Sequence, residues 1–350
     1  MRVGLEGTAV LAHRLTGVQR YIAELARALA ALEEPALECR LLLRLADFGK
    51  RRLLAPQPWP TRWYGPGGWP GTIGCDLVHA LAVRLPGGIR KVPCVSTIHD
   101  LLAITLPTEG SARSRRKRIE RYERATREAD RIIAVSAETK AQFLAHFAYP
   151  EERVVVVHHG VSEAFLHGPE PDPERDGAPR APYLLLYGGS ERKNAARVLR
   201  AFAASSLRRS LRLCIVGALN PDAAAALVEC RLEEAAFFEP SPDDERLARL
   251  YRASAGLLYP SLEEGFGLPI LEAFACGVPV LTADSGATAE IAGGHAVLVE
   301  PRSIESIAAG IERLVATEPA ARDAARRYAR GFTWRRTAEQ TLAVYRSLVG

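Results

Sequence analysis

Short apolar runs rich in β-branched residues alternate along the chain with amphipathic stretches of helical period, the pattern of parallel sheets built from βαβ units. In the first half this pattern predicts strands near Arg2–Leu5, Glu38–Leu43, Leu77–Ala80, Val92–Ile98, Arg131–Val135 and Val154–His158, with helices between several of them. A polar, proline-rich stretch, GPEPDPERDGAPRAP at 168–182, breaks both periodicities and cannot bury a core, so it predicts an interdomain linker. The alternation then resumes. Strands are expected near Tyr183–Tyr187, Arg212–Val216, Ala236–Phe238, Gly256–Tyr259, Val278–Thr282 and Ala296–Val299, and helices over Asn194–Ala204, Asp243–Ala253, Pro269–Ala275 and Ile304–Ala316. The expected organisation is α/β, with Rossmann-like domains over 1–167 and 183–330 and a closing segment, 331–350, that packs back toward the first domain. Two such halves imply a cleft at the carboxyl ends of two parallel sheets, where open α/β folds bind ligands.

Length agrees with two domains: 350 residues exceed the roughly 250–300 at which a single core stops growing. No apolar run approaches the ~18–20 residues of a membrane-spanning helix. Glu6 interrupts the N-terminal run where a secretory signal would stay apolar, so a cytoplasmic location is expected. The six cysteines, at 39, 75, 94, 214, 230 and 276, include no Cys-x-x-Cys pair and suggest neither a zinc site nor a disulfide framework. A net charge of +5 suits anionic small molecules or a membrane surface and does not call for nucleic acid.

Candidate chemistry concentrates in four segments. Tyr259 to Pro279, YPSLEEGFGLPILEAFACGVP, places Gly265 and Gly267 in a loop whose backbone can approach a ligand, Pro269 at a helix start, and Glu272 in the first turn of that helix. Glu264 and Glu272 flank this start, one on the loop and one on the helix; a carboxylate there can accept from a ribose diol while free N–H groups hold phosphate or sugar oxygens. Leu185 to Asn194, LLYGGSERKN, is a strand, a glycine turn and a basic pair, Arg192 and Lys193, at a helix start, as a diphosphate site needs. Val95 to Leu101 puts His99 at the carboxyl end of a buried strand, and Leu15 to Tyr21 puts Gly17 in a turn opening a long helix.

Glu264 through Glu272, with Gly265, Phe266, Gly267 and Leu268 in register, resembles the Glu-x7-Glu motif of retaining glycosyltransferases of the GT-B fold, family 4 in particular. The Arg-Lys-Asn, Ile-His-Asp and Thr-Gly-Val elements resemble the same family in the same order, and the likeness extends through Ala134–Ser136, Val157–Val161 and the closing helix with Trp334 and Tyr345. The resemblance implies that Glu264 and His99 lie beside the transferred sugar, that Glu272 binds the nucleotide ribose, and that Arg192, Lys193, Gly17 and the Gly265–Leu268 backbone stabilise the leaving diphosphate. It also implies transfer with retention, the leaving phosphate taking the acceptor proton. His159 stands where the family has asparagine, and Ala289-Glu290 replaces proline-glutamate.

The combination looks most like bacterial polysaccharide mannosyltransferases, which makes GDP-mannose the expected donor, with UDP-glucose and dTDP-rhamnose as alternatives, and a glycan or lipid-linked oligosaccharide the expected acceptor. A GT-B sugar-nucleotide epimerase and a catalytically silent sugar-nucleotide-binding subunit remain as rivals; a nicotinamide dehydrogenase does not, for want of a Gly-x-Gly-x-x-Gly turn. No metal or other cofactor is expected, since there is no Asp-x-Asp sequence to hold a metal–diphosphate complex. Finally, Ser111–Arg131, SARSRRKRIERYERATREADR, predicts a basic helix. Its charges either form i,i+4 pairs, Glu120–Arg124 and Glu123–Arg127, or lean Arg113 to Arg118 on an anionic membrane.

Overall fold

The computed structural model describes residues 1–11, 17–69, 71–87, 92–106, 111–167 and 181–349. The chain divides into two units, Met1–Gly160 with Thr333–Gly350, and Val161–Phe332.

The first unit is a seven-stranded parallel sheet of β1 (Arg2–Glu6), β2 (Glu38–Arg44), β3 (Thr61–Tyr64), β4 (Leu77–Ala80), β5 (Cys94–Ile98), β6 (Arg131–Ala134) and β7 (Val154–Val156) in the order β3-β2-β1-β4-β5-β6-β7. Its first helices are α1 (Gly17–Ala31), α2 (Leu102–Thr105), α3 (Ala112–Glu128) and α4 (Ala137–His146). Parallel strands are covered on both faces, so β4, for example, is buried at every position. The apolar face of α1, with Ile22, Leu25 and Leu29, packs on Val3, Leu5 and Leu77; each such side chain contributes roughly 1.5–3 kcal/mol by burial. The strand β3 has no counterpart in the expected pattern. It is a four-residue edge strand with Pro60 before it and Pro66 after it, and Arg62 faces solvent, so its apolar signal is weak.

The second unit holds α5 (Glu163–His167) and a six-stranded parallel sheet, β8 (Tyr183–Tyr187), β9 (Arg212–Val216), β10 (Ala236–Glu239), β11 (Gly256–Tyr259), β12 (Val280–Ala283) and β13 (Val297–Val299), in the order β10-β9-β8-β11-β12-β13. Its further helices are α6 (Ala195–Ala204), α7 (Pro221–Glu229), α8 (Asp244–Ala253), α9 (Leu268–Ala275), α10 (Gly286–Ala292), α11 (Ile304–Val315) and α12 (Pro319–Ala329). Helix starts follow local chemistry: Asn220 caps α7 by accepting from the Ala223 N–H at 2.9 Å, and Asp243 caps α8 through the Arg246 N–H at 2.8 Å. The core joins Val198, Leu199 and Phe202 of α6 to Leu184, Ile215 and Ile311.

The units part at Gly160, ahead of the proline-rich stretch expected as linker, of which 168–180 lies outside the described residues. A backbone bond from the Val161 N–H to the Phe332 carbonyl, 2.9 Å, closes the second unit at both its ends. The last helix, α13 (Trp334–Val349), belongs to the first unit, burying Trp334, Ala338, Leu342 and Tyr345 at helical spacing in the core with α1. Its start approaches the chain so closely that a Cβ on Gly160 would stand 2.2 Å from the Trp334 nitrogen, which only glycine permits.

Both strand orders have a switch point, between β1 and β4 in the first unit and between β8 and β11 in the second, where connections leave in opposite directions and open a crevice at the carboxyl ends of the strands.

Candidate functional site

Sequence-predicted residues meet at the second unit's switch point. After β8 the chain turns through Gly188 and Gly189, whose N–H groups donate to the carbonyls of Val216 (2.9 Å), the last residue of β9, and Ala218 (2.7 Å), just beyond it. A single 3₁₀ turn, Glu191–Lys193, follows, and Asn194 adopts the left-handed conformation (φ 63°, ψ 21°) that asparagine tolerates. Its side-chain amide donates to the carbonyls of Pro260, 3.0 Å, and Pro301, 2.6 Å, and so fastens the turn to the exits of β11 and β13. The Leu262 N–H adds a bond to the Arg192 carbonyl, 2.8 Å. Arg192 and Lys193 are thereby held against the loop that carries Glu264.

Glu264 Oε1 lies 2.7 Å from Lys193 Nζ and accepts the Tyr259 hydroxyl at 2.7 Å; Oε2 lies 2.5 Å from Arg192 Nη1. Lys193 Nζ also donates to Tyr259 Oη at 2.5 Å and sits 4.6 Å from that ring's centroid, a cation–π geometry. Tyr259 therefore accepts from the ammonium and donates to the carboxylate. Burial pushes the Glu264 carboxyl up, but the charges of Lys193 and Arg192 and the hydrogen bonds from Lys193 and Tyr259 outweigh it and hold the group down to about 2. Two fixed cations thus face one permanent carboxylate, leaving a local positive excess. Behind them Tyr187 and Tyr251 share a hydroxyl–hydroxyl bond of 2.8 Å.

The glycine loop after Glu264 is built as backbone. Gly267 has φ 106°, closed to side-chain-bearing residues, and the buried side chains of Phe266 and Leu268 belong to the core, so this segment presents main chain to a ligand. Glu272 departs from expectation: α9 begins at Leu268, which places it in the second turn, and it is only 2% exposed. Burial first, then the charges of Tyr187 and Glu272, push the Tyr251 phenol well above its usual value.

In the first unit His99 follows β5. Its Nε2 lies 2.7 Å from the Leu81 carbonyl; a carbonyl only accepts, so Nε2 carries the proton and Nδ1 of the neutral ring is an acceptor. Burial lowers its pKa to about 4 against a smaller opposing effect of that bond, which leaves the ring neutral at pH 7. Tyr21 meets His99 edge-on at 4.7 Å, and His159 lies 4.8 Å from Tyr21, 5.5 Å from His99 and 5.7 Å from Trp334. A buried chain of hydrogen bonds fixes this wall: Tyr345 to His79 Nδ1 (2.6 Å), His79 Nε2 to Thr97 (2.7 Å), Thr97 to Tyr21 (3.1 Å). Gly17 is the exposed first residue of α1; Leu15 and Thr16 of its turn lie outside the described residues. Tyr259, Asn194 and Tyr21 stand inside the recognised segments, yet only the fold shows what they bond.

Residues 174–332 match the family model Glycosyl transferases group 1, and residues 15–165 match Glycosyltransferase Family 4. D-inositol 3-phosphate glycosyltransferases of Nocardiopsis dassonvillei and Catenulispora acidiphila are both 33% identical, over 283 and 305 residues, which cover 73% and 78% of this chain and 65% and 72% of those proteins. The chain belongs to glycosyltransferase family 4. It spans less than two thirds of the first of those two relatives, but a relative of fuller coverage is the O-antigen chain mannosyltransferase B of Escherichia coli, 26% identical over 97% of this chain and 98% of that one. Two solved structures show that the fold is GT-B: sucrose-phosphate synthase from Thermosynechococcus elongatus, TM-score 0.77 at 21% identity over 99% of each chain, and Anabaena HepE in complex with UDP and glucose, TM-score 0.77 at 18% identity over 99% of this chain and 100% of that one. The two family models divide the site residues, with Gly17 and His99 in one and Arg192, Lys193 and Glu264 to Glu272 in the other.

Proposed function

We propose that this protein is a retaining glycosyltransferase that moves a hexose, mannose from GDP-mannose, onto a glycan or lipid-linked oligosaccharide in cell-surface polysaccharide synthesis. One observation carries the reading: Lys193 and Arg192 are fixed on a carboxylate, Glu264, at the switch point of a parallel sheet, with a backbone-lined glycine loop beside them. The pair supplies positive charge where a diphosphate leaves, and the backbone of Gly265–Leu268 adds N–H donors. The acceptor oxygen attacks the anomeric carbon as its bond to phosphate breaks, and the departing phosphate oxygen takes the acceptor proton on the same face. Glu264 and the neutral His99, through Nδ1, orient sugar hydroxyls; Glu272 holds the ribose, and Gly17 helps stabilise the leaving phosphate. Two cations do the work of a divalent metal, so the reaction is metal-independent.

The name of the Escherichia coli relative supports mannose. A second donor, UDP-glucose, is favoured by the Anabaena protein's complex with it. The test is a screen of GDP-mannose, UDP-glucose and dTDP-rhamnose, in chelator, for thermal stabilisation and slow release of sugar and nucleoside diphosphate. GDP-mannose should stabilise and turn over, with an α-configured product from the α-configured donor. No stabilisation or turnover with any of the three, or turnover that returns only with manganese or magnesium, sinks the corresponding claim.

The same reading places the protein in the cytoplasm at the membrane's inner face. No helix among the described residues is long and apolar enough to cross a membrane. Instead α3 presents exposed Arg113, Arg116 and Lys117, and each basic residue near an anionic surface contributes about 1 kcal/mol. Sedimentation with phosphatidylglycerol vesicles, lost on charge reversal at Arg116 and Lys117, is the expected result; unchanged sedimentation refutes it.

A further inference from the structure

The first unit's switch point carries its own chemistry. The strands on either side end on polar groups: Glu6 closes β1, Arg44 closes β2, Tyr64 closes β3, and Arg84 lies just past β4. Glu6, 1% exposed, is a fixed floor to this crevice. Its Oε1 accepts the Tyr64 hydroxyl at 3.0 Å and the Thr8 hydroxyl and N–H, while Thr8 Oγ1 accepts the Arg44 N–H at 3.0 Å, so the ends of three strands are knit together. Beside it the chain is strained. Val83 has φ 58°, a conformation β-branched residues avoid, held by its N–H bond to the Thr97 carbonyl, 3.0 Å. That turn sets the direction in which Arg84 leaves the sheet.

Arg121, part-buried on α3, completes the group: Arg124, on the next turn of that helix, donates to the Pro86 carbonyl at 3.0 Å and so holds α3 against the segment that carries Arg84, where the charges of Arg84 and Arg44 repel Arg121 and that of Glu6 attracts it. Arg44 is occupied by Asp47, at 2.5 and 2.8 Å. The guanidiniums of Arg84 and Arg121 have no hydrogen-bond or ion-pair partner among the described residues. Two arginines gathered at a ligand-binding edge, part-buried and mutually repelling, are an unfavourable arrangement unless an anion completes it.

We propose that Arg84 and Arg121 form an anion subsite that grips a phosphate carried by the acceptor. Two unpartnered charges match a dianionic phosphomonoester better than a single carboxylate, and planar guanidiniums present paired N–H groups to its oxygens. The word acceptor rests on the transferase reading; the phosphate site does not.

Hydrogen–deuterium exchange on the full chain tests it, with inorganic phosphate titrated at constant ionic strength against chloride. Phosphate should protect the segments carrying Arg84 and Arg121. R84Q/R121Q should weaken that effect about 10- to 100-fold for each guanidinium removed, and R84K/R121K, which keeps charge and fold, should retain part of it. Glucose 6-phosphate protecting where glucose does not identifies a free phosphorylated acceptor; protection only by phosphatidylcholine vesicles bearing a polyprenyl phosphate identifies a lipid-linked one. Equal phosphate protection in wild type and R84Q/R121Q, or protection confined to the Arg192–Lys193 turn, overturns the proposal. None of these arms uses a sugar nucleotide, so failure of the transferase reading would appear separately in the donor screen.

Discussion

Replacing Lys193 with alanine removes one of the two cations on Glu264 while leaving Arg192 in place, so the carboxylate loses a partner without being orphaned. The magnitude follows from the titration of Glu264. Its carboxyl sits at about 2 against an ordinary 4.5, which corresponds to roughly 3 kcal/mol. The folded-state value is depressed, so this stability is fully present above pH 4.5 and is lost as pH falls toward 2. Lys193 and Arg192 share the effect, Lys193 with the larger part because it adds a hydrogen bond to its charge, and the hydrogen bond to a charged group that is lost contributes ~1.5–3 kcal/mol. Lys193→Ala should therefore lower the melting temperature of the second unit by roughly 3–8 °C at pH 7. Chemistry should suffer more: a positioned electrostatic donor removed from a leaving group costs about 10²–10³ in kcat/KM. The assay pairs circular-dichroism melting with sugar-nucleotide turnover on the same preparation. A lowered melting temperature with turnover within about threefold of wild type would make the triad structural only. An unchanged melting temperature would refute the ion-pair energetics themselves.

Glu272→Ala should weaken nucleotide binding about 10- to 100-fold through KM with kcat held, while Glu264→Ala and His99→Ala lower kcat; the reverse split exchanges the roles. Below pH 6.5 thermal stability should fall steeply, because His79 (about 3), His99 (about 4) and His159 all stay neutral in the fold, each lowered chiefly by burial. The unfolded chain takes up protons that the fold refuses, so each histidine costs about 1.4 kcal/mol per pH unit below 6.5, and a flat profile between pH 6.5 and 5 would contradict their burial. Gly160→Ala would drive a Cβ into the backbone at Trp334 and should destabilise by at least about 3 kcal/mol; a melting temperature within about 1 °C of wild type would show that α13 does not pack as described.

What could be read beforehand depended on how local the signal is. Strands buried on both faces, such as β8 and β11, announce themselves as apolar runs, whereas β3 does not, lying at an edge between prolines. Helix α3 was legible as a helix, but its pairs were not: the expected Glu120–Arg124 and Glu123–Arg127 give way to Arg116–Glu120 at 3.1 Å and Arg124–Glu128 at 2.8 Å. Tertiary contact decides this, because Arg124 also donates to the Pro86 carbonyl at 3.0 Å, which turns it toward Glu128 and away from Glu120. In the same way Arg192, Lys193 and Glu264 could be named from their motifs, but not the bonds among them. Those depend on Tyr259, whose hydroxyl links residues far apart in sequence, and on Asn194, whose backbone conformation no periodicity encodes.

The two switch points explain why the chemistry gathers where it does. At each one the crossovers diverge and the strand ends cannot be covered by a helix, so polar side chains can stand there without being buried unpaired. In the second unit the chain closes that opening on itself, two cations against Glu264, a self-satisfied cluster that an anion can enter only by competing for Lys193 and Arg192. In the first unit the floor is satisfied internally, Glu6 with Tyr64 and Thr8, while Arg84 and Arg121 are left over. The same fold therefore presents one site whose cations already hold a carboxylate and one whose arginines hold none among the described residues. The first suits a group whose charge develops during reaction, because its cations are fixed before that charge appears; the second suits a charge that arrives complete and stays unchanged, as a phosphate on an acceptor does.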